Sequence, residues 1–316
     1  MAERTPVVPW LLRNKIAQLG PAGERWLAGL ADLITALEQQ WSIRVVEPLS
    51  DGSAAYVARV RTGDGGAAVL KLAIPGTGFA GQARTLEMAR GRGYAALLAS
   101  DVGREAMLLE ALGPSMSRLA LPPEEAIALL GRVLPEAWQV PRPAGVVVPP
   151  EGPPGQEKAG QLAQMVAELW EALGRPCSER VVRRALDFAR RRSAAFDPER
   201  CVVVHGDPHP GNALRVPEAR AGAESGFVLI DPDGFLAEPA CDLGVVLRDW
   251  CRQLLAGDPV PLARRYCRLL ADGTGVDASA IWEWGFLERV STGLYIWSLG
   301  AEDLARPFLA TAELLV

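Results

Sequence analysis

The sequence predicts an α+β protein with a small antiparallel β-sheet lobe followed by a larger helical lobe. Between residues 41 and 74 apolar residues alternate with polar ones, which is typical of strands. After Gly113 they recur mostly at spacings of three and four, which is typical of helices. A short β-rich insertion at 201–231 interrupts the helical part. We therefore expect two domains, at residues 1–110 and 111–316.

Composition bounds the class of protein. The chain has 316 residues, of which 49% are hydrophobic, enough for one large core or two medium ones. Its formal net charge of −5 provides no general attraction for nucleic acid or anionic lipid. No segment reaches the length of a membrane span, and the five cysteines form no CxxC pair. We expect a cytoplasmic protein with no nucleic-acid or membrane partner, and no protein partner is evident.

The first lobe is predicted to begin with a helix and to continue as strands. In residues 21–40 apolar side chains recur at helical spacing after Pro21. The β-rich runs SIRVVEPL, AAYVARVRT and AAVLKLAI follow, and GDGG between the last two is a hairpin signal. GQARTLEMARGRG then predicts a helix that ends at its glycines, and AMLLEALG predicts a further strand.

The second lobe is predicted to be helical on both sides of its β-rich insertion. Helices are expected at 157–174 and 178–195, and again towards the end of the chain. The prolines of the segment 141–155 exclude regular structure there, so it is expected to be a loop or a mobile flap. The basic run at 183–192 has helical spacing, and we interpret it as a solvated helix face.

Both histidines of the chain, His205 and His209, lie in the segment VVVHGDPHPGN. Its valines predict a buried strand, and its prolines and glycines predict a rigid loop after it. Asn212 follows Asp207 at the fifth position, which is the spacing of the kinase catalytic loop. In that loop the aspartate orients the substrate hydroxyl or accepts its proton, and the asparagine oxygen binds Mg²⁺. His205 is expected to support the loop by bonding its backbone.

Two further segments supply residues that this chemistry needs. GFVLIDPDG predicts a strand that ends in Asp231, a second Mg²⁺ ligand, and the strand can pair with NALRV as a hairpin. Lys71 lies inside the apolar strand AVLKLAI, where its compact charge can reach the phosphates of a nucleotide. Only three of the 33 lysines and arginines are lysines, so this choice is informative. Glu87 is the natural ion-pair partner of Lys71, although Gln82 competes for the position.

Each of these residues also has a purely structural interpretation, as a turn former, a loop acid or a cation at a strand end. Their conjunction on suitable elements favours chemistry. The motifs HGDPHPGN, LIDPDG and CDLG resemble those of the aminoglycoside phosphotransferase family, a branch of the protein-kinase-like fold, and are most similar to its streptomycin 6-kinase and hydroxyurea phosphotransferase members. The resemblance is strongest over residues 201–250.

The resemblance implies a two-lobed protein-kinase-like fold and an enzyme that uses ATP and Mg²⁺. Such an enzyme transfers the γ-phosphoryl group to a hydroxyl of a small molecule, here an aminoglycoside such as streptomycin. The resemblance also implies residue roles: Asp207 as the catalytic aspartate, Asn212 and Asp231 as Mg²⁺ ligands, Lys71 as a phosphate ligand, Ser53 in the phosphate-covering loop, Glu110 to Leu112 as the hinge that takes adenine, and Asp242 as a buried brace of the catalytic loop.

The acceptor is predicted less directly than the nucleotide. Acidic residues of the C-terminal half are suited to a cationic aminocyclitol, but acids are also ordinary on helix surfaces. The candidates are Asp233, Glu238 and Glu283, with Asp249 and Glu288 beside them. Two alternatives stay open: a metabolic kinase for an amino sugar or related compound, and a non-catalytic kinase-fold nucleotide-binding regulator. A pure binder does not need Asp207, which argues against the second.

Overall fold

The computed structural model describes residues 6–49, 55–142 and 156–316. The chain divides into two compact units, Met1–Gly113 and Pro114–Val316. Ser53 and all but the first two residues of the proline-rich segment 141–155 lie outside the described residues. Within the described ranges no helix combines the length and the apolar character that crossing a membrane requires.

The N-terminal unit is a five-stranded antiparallel sheet with helices. Its elements are α1 (Trp10–Gln18), α2 (Pro21–Gln40), β1 (Ile43–Pro48), β2 (Ala55–Thr62), β3 (Ala67–Ala73), α3 (Phe79–Ala89), β4 (Leu97–Asp101) and β5 (Ala106–Glu110). The strand order is β1-β2-β3-β5-β4, and every neighbouring pair is antiparallel. The predicted α2, α3, β5 and the β2–β3 hairpin are confirmed, whereas α1 and the edge strand β4 were not predicted.

One face of this sheet is covered by α1 and α2. Alternate residues of β3, at positions 68, 70 and 72, are fully buried in the core that these helices complete. Side chains of a strand alternate between the two faces, so Lys71 lies on the opposite face. The indole Nε1 of Trp26 in α2 donates to the carbonyl oxygen of Ala73 at 2.9 Å and fixes the helix against the end of β3.

The C-terminal unit is mainly helical, with two short antiparallel strand pairs. Its elements are α4 (Pro123–Ala137), α5 (Gln156–Ala172), α6 (Glu179–Ala194), β6 (Val202–Val204), β7 (Ala213–Arg215), β8 (Phe227–Leu229), β9 (Phe235–Ala237), α7 (Ala240–Arg248), α8 (Cys251–Ala256), α9 (Pro259–Thr274), α10 (Ala278–Ser298) and α11 (Glu302–Leu315). Strand β7 pairs with β8, which confirms the predicted hairpin, and β6 pairs with β9.

Helix α10 is the central helix of this unit. It packs against α5, α6, α7, α9 and α11, and its side chains are buried around most of its circumference, as expected of a core helix. The contact with α7 is very close at Gly244. A Cβ atom at this position would lie 2.5 Å from the Cβ of Trp284 and 2.8 Å from its carbonyl carbon. Only glycine therefore lets the two helices approach to this distance.

The close α7–α10 contact yields a stability prediction. Gly244→Ala should lower the free energy of unfolding by about 3 kcal/mol, because overpacking forces neighbouring atoms apart. The matched control is Gly160→Ala in α5, where an added Cβ meets nothing within 4 Å. It should raise stability by about 0.5–1 kcal/mol through helix propensity. Chemical denaturation of the three proteins measures both effects, and equal stability of the two variants would contradict the packing argument.

Candidate active site

The loop after β6 is held by one buried carboxylate, that of Asp242 in the first turn of α7. Its Oδ2 accepts hydrogen bonds from the backbone N–H of His205 and from the indole Nε1 of Trp138, both at 2.8 Å. Its Oδ1 accepts one from the backbone N–H of Gly206, also at 2.8 Å. Burial raises the pKa of Asp242, and these three N–H donors oppose the rise by favouring the ionised form. The contacts agree with the brace implied by the resemblance.

His205 links the loop to the end of the β7–β8 hairpin. Its Nδ1 accepts a hydrogen bond from the backbone N–H of Asp207 at 3.1 Å, and its Nε2 lies 2.7 Å from the carbonyl oxygen of Ile230. A carbonyl oxygen only accepts, so Nε2 carries the proton and Nδ1 does not. The imidazole bonds backbone atoms on both sides, which is the supporting arrangement expected for it.

The structure brings the segments that carry Asp207, Asn212 and Asp231 together. The side-chain Nδ2 of Asn212 donates to the carbonyl oxygen of Asp207 at 3.0 Å. The backbone oxygen of Asn212 accepts a hydrogen bond from Ile230 at 2.9 Å, so the residue before Asp231 is bonded to the loop at two points. Because Nδ2 of Asn212 is engaged, its Oδ1 is the side-chain atom suited to a cation.

Gly206 is required by the path of the loop. Its φ of +91° lies in the region that favours glycine. A Cβ atom there would lie 2.8 Å from Oδ2 of Asp233 and 2.8 Å from the ring of Phe235. The Asp233 carboxyl is therefore packed against the loop, although the residue as a whole is exposed. This partial burial raises the pKa of Asp233 despite the nearby Lys158, and the charge of Asp207 adds to the rise.

Asp207 is paired with a cation that the sequence analysis missed. Nη2 of Arg248 lies 2.5 Å from Oδ1 of Asp207, and Nε2 of His209 lies 3.6 Å from Oδ2. Burial favours the neutral carboxyl, but the charges of Arg248 and His209 outweigh it and lower the pKa of Asp207. An arginine at the end of the apolar segment CDLGVVLR was the available signal, since α7 carries no other basic residue.

The structure places Gln82, and not Glu87, against Lys71. Nζ of Lys71 donates to Oε1 of Gln82 at 2.8 Å, whereas Glu87 is on the exposed face of α3. The helical repeat explains the correction. Gln82 shares a face with the buried Phe79 and Leu86, and Glu87, five residues after Gln82, points about 140° away from it. Lys71 itself is buried, with 6% of its surface exposed.

The residues predicted to take adenine lie where β5 ends. Glu110 is the last residue of β5, and its Oε1 accepts a hydrogen bond from the backbone N–H of Ala96 at 2.8 Å. Leu112 is half-buried two residues later. The side chain of Glu110 thus holds the segment before β4.

Four of the five acids predicted to face the acceptor are bound to arginine instead: Glu238 and Glu283 to Arg192, and Asp249 and Glu288 to Arg248. Oε2 of Glu283 lies 2.6 Å from Nε of Arg192, and Glu283 is buried. Glu238 lies 3.5 Å from Arg192 and accepts a hydrogen bond from the indole of Trp284 at 2.7 Å. These contacts indicate a structural role for Glu238 and Glu283. The prediction that the basic run at 183–192 is a solvated face is wrong at Arg192, because only 13% of the Arg192 side chain is exposed.

Sequence comparisons identify similar proteins over most of the chain. The family model for aminoglycoside/hydroxyurea antibiotic resistance kinases matches residues 40–297. Streptomycin 6-kinase of Streptomyces glaucescens is 28% identical over 278 residues, which cover 87% of this chain and 86% of that protein. Streptomycin 6-kinase of Streptomyces griseus is 26% identical, with 94% and 92% covered. These proteins confirm the predicted resemblance.

Solved structures confirm the predicted protein-kinase-like fold. A macrolide 2'-phosphotransferase from Brachybacterium faecium is similar with a TM-score of 0.57 and 17% identity, covering 89% of this chain and 98% of that one. A spectinomycin phosphotransferase in complex with ADP and spectinomycin has a TM-score of 0.57 and 13% identity, with 90% and 92% covered. At these identities the similarity concerns the fold.

The Asp242 brace generates a graded prediction. Asp242→Asn should lower the free energy of unfolding by about 3 kcal/mol, because an amide N–H₂ then faces one of three buried N–H donors. Trp138→Phe removes a single donor and should cost about 1.5 kcal/mol. Denaturation midpoints of the two variants and the wild type provide the measurement. A ranking in which Trp138→Phe is the more harmful change would refute the brace.

Proposed function

Because the chain belongs to the aminoglycoside/hydroxyurea antibiotic resistance kinase family, we propose that it transfers the γ-phosphoryl group of ATP to a hydroxyl of an aminoglycoside of the streptomycin type. Its similarity to two streptomycin 6-kinases supports a phosphotransferase that acts on a hydroxyl group of a small molecule. The observation that carries the finer proposal is the loop cluster, in which Asn212 bonds the backbone of Asp207 and the backbone of Ile230, the residue before Asp231.

Asp207 is the residue that we assign to the acceptor hydroxyl. Phosphoryl transfer requires little covalent chemistry from a protein, and most of the rate comes from positioning and charge stabilisation. An ionised carboxylate accepts a hydrogen bond from the hydroxyl, orients its oxygen and takes its proton as the bond to phosphorus forms. The lowered pKa of Asp207 keeps this group ionised at neutral pH.

Asn212 and Asp231 are the residues that we assign to Mg²⁺. Oδ1 of Asn212 and the carboxylate of Asp231 are hard oxygen donors, which Mg²⁺ prefers, and one or two protein ligands suffice because water and phosphate oxygens complete the shell. Mg²⁺, when bound, neutralises negative charge on the phosphates. We assign Lys71 to the phosphates as well, Ser53 to the loop that covers them, and the segment from Glu110 to Leu112 to adenine.

Charge near Asp207 favours a cationic acceptor. Arg248 interacts with Asp207, Asp249 and Glu288, and Lys158 interacts with Asp233 and Glu288. Five carboxylates, including that of Asp231, interact here with the cations Arg248, Lys158 and Arg289 and with His209, which leaves a small excess of negative charge in this part of the described chain. Both streptomycin 6-kinase relatives are named for an antibiotic of this class. We therefore assign Asp233 to acceptor binding. We also propose that the enzyme works in the cytoplasm.

The metal assignment makes a prediction about thermal stability. ATP with Mg²⁺ should raise the melting temperature more than ATP with a chelator, because the nucleotide gains affinity through the metal. Asp231→Asn should reduce the difference between the two conditions, since the ligand loses its charge. Differential scanning fluorimetry measures all four combinations, and equal shifts with and without Mg²⁺ in the wild type would contradict the assignment.

The function itself is tested by turnover. Streptomycin should support ADP formation by the wild type, and Asp207→Asn should lower kcat by about 10³-fold, the scale of general-base catalysis, with little change in ATP affinity. Asp187→Asn is the matched control, because the Asp187 side chain is half-buried on α6 and paired there with Arg190 and Arg191, so its loss should leave both quantities unchanged. A coupled ADP assay and calorimetric ATP titration supply the data.

Two further measurements identify the acceptor. The KM of a cationic acceptor should rise with ionic strength, as screening over about 10 Å at 0.1 M weakens its attraction to the acids. Expression in a sensitive bacterium should protect the host from streptomycin, and the Asp207→Asn variant should not. Absence of both ADP formation and resistance with every aminoglycoside would reject the antibiotic substrate, whereas turnover of an amino sugar would favour a metabolic kinase.

A further inference from the structure

Arg248 is the most extensively paired cation near the loop. It is the last residue of α7, and only 15% of its side chain is exposed. Besides the 2.5 Å contact of Nη2 with Oδ1 of Asp207, its Nη1 lies 3.3 Å from Oε2 of Glu288 and its Nε lies 3.6 Å from Oδ1 of Asp249. One planar group therefore contacts three carboxylates, which restricts its orientation.

The backbone around Arg248 is also held. Arg289 of α10 is fully buried, and its Nη2 donates to the carbonyl oxygen of Leu247 at 2.7 Å and to that of Asp249 at 3.4 Å. These carbonyls flank Arg248 at the end of α7, where helical carbonyl groups lack partners within the helix. Arg289 thus fixes the helix end, and Glu288 fixes the guanidinium that projects from it.

We propose that Arg248 is a positioning residue for phosphoryl transfer: it holds Oδ1 of Asp207 so that Oδ2 is directed at the acceptor hydroxyl. The inference rests on the proposed function, because it assumes the role of Asp207. The last torsion of an aspartate side chain is broadly distributed, so a contact that fixes one carboxylate oxygen narrows the direction of the other. Arg248 fixes that oxygen from α7, while Asp242 fixes only the loop backbone.

In a second interpretation, Arg248 occupies the position that a cationic group of the acceptor would take, and binding of the acceptor displaces Arg248. The geometry favours positioning. Glu288 is buried, with 4% of its surface exposed, and departure of Arg248 would leave its charge without this partner in a dry environment. Displacement would also break the contacts with Asp249 and Asp207 together. A group held at three points is suited to staying in place.

The kinetic test uses Arg248→Met and Arg248→Lys, with Arg192→Met as the matched control. Arg192 is also largely buried between two carboxylates but lies on α6, and its loss should alter stability without altering kcat. Arg248→Met should lower kcat by about 100-fold, the usual effect of misplacing a catalytic group by an ångström, with the KM for ATP within about twofold of the wild type. Lysine should restore part of kcat, since one ammonium can hold one carboxylate.

Chemical rescue separates positioning from general support of the fold. Guanidinium chloride at about 50 mM, far below denaturing concentrations, should raise kcat of Arg248→Ala severalfold in a saturable way. Sodium chloride at the same concentration should not, and Arg192→Ala should show no gain from either salt. The proposal is overturned if guanidinium fails to rescue Arg248→Ala and if Arg248→Lys is no more active than Arg248→Met.

Other outcomes are equally decisive. An unchanged or higher kcat in Arg248→Met, with a lower KM for a cationic acceptor, would mean that Arg248 occupies the acceptor position and would overturn positioning. If the wild type turns over no acceptor, the proposed function fails, and crystal structures of the wild type and Arg248→Met then decide whether Arg248 positions the Asp207 carboxylate. A shifted Asp207 carboxylate in the methionine variant supports that role, and an unchanged carboxylate overturns it. Arg248→Ala replaces the methionine variant in both measurements if Arg248→Met does not fold.

Discussion

The geometry of the candidate site depends on one buried carboxylate that binds backbone N–H groups. Asp242 receives hydrogen bonds from two consecutive residues of the loop after β6, so it determines where the loop leaves the strand. From there His205 extends the constraint to Ile230 at the end of the β7–β8 hairpin. A loop rich in proline and glycine has few hydrogen bonds of its own. The carboxylate of Asp242 therefore supplies the hydrogen-bond partners that a helix or sheet would supply from its own backbone.

Helix α10 provides a second set of constraints through charged side chains that it buries. Glu283 binds Arg192 of α6, Glu288 binds Arg248 of α7, and Arg289 binds carbonyl groups at the end of α7. Buried ionic contacts add little stability compared with apolar packing, but breaking one partner away is costly. Such contacts therefore determine where the side chains lie more than they raise the free energy of unfolding. Arginine suits this use because its planar fork engages two acceptors at once, in keeping with a chain in which all but three of the 33 lysines and arginines are arginine.

The sequence predicted those features that depend on local pattern. The strands around Lys71, the β7–β8 hairpin and the spacing from Asp207 to Asn212 all follow from neighbouring residues. Features that depend on distant contacts were missed. Strand β4 buries no residue completely and pairs with β5, which comes later in the chain, and α1 is short and stabilised by packing of Leu12 and Ile16. The ion pair of Arg248 with Asp207 joins residues 41 positions apart. The choice of Gln82 over Glu87 required the phase of α3, which the sequence alone left open.

The glycine contact between α7 and α10 has an evolutionary consequence. With Gly244 against Trp284, the two helices cannot slide or separate without losing their closest contact, so they form a fixed frame. A lineage that acquires a new acceptor cannot do so by shifting these helices. It must change side chains that project from the frame, one at a time, while the frame is inherited unchanged. On this argument, specificity changes through substitutions on the frame and not through movement of its helices.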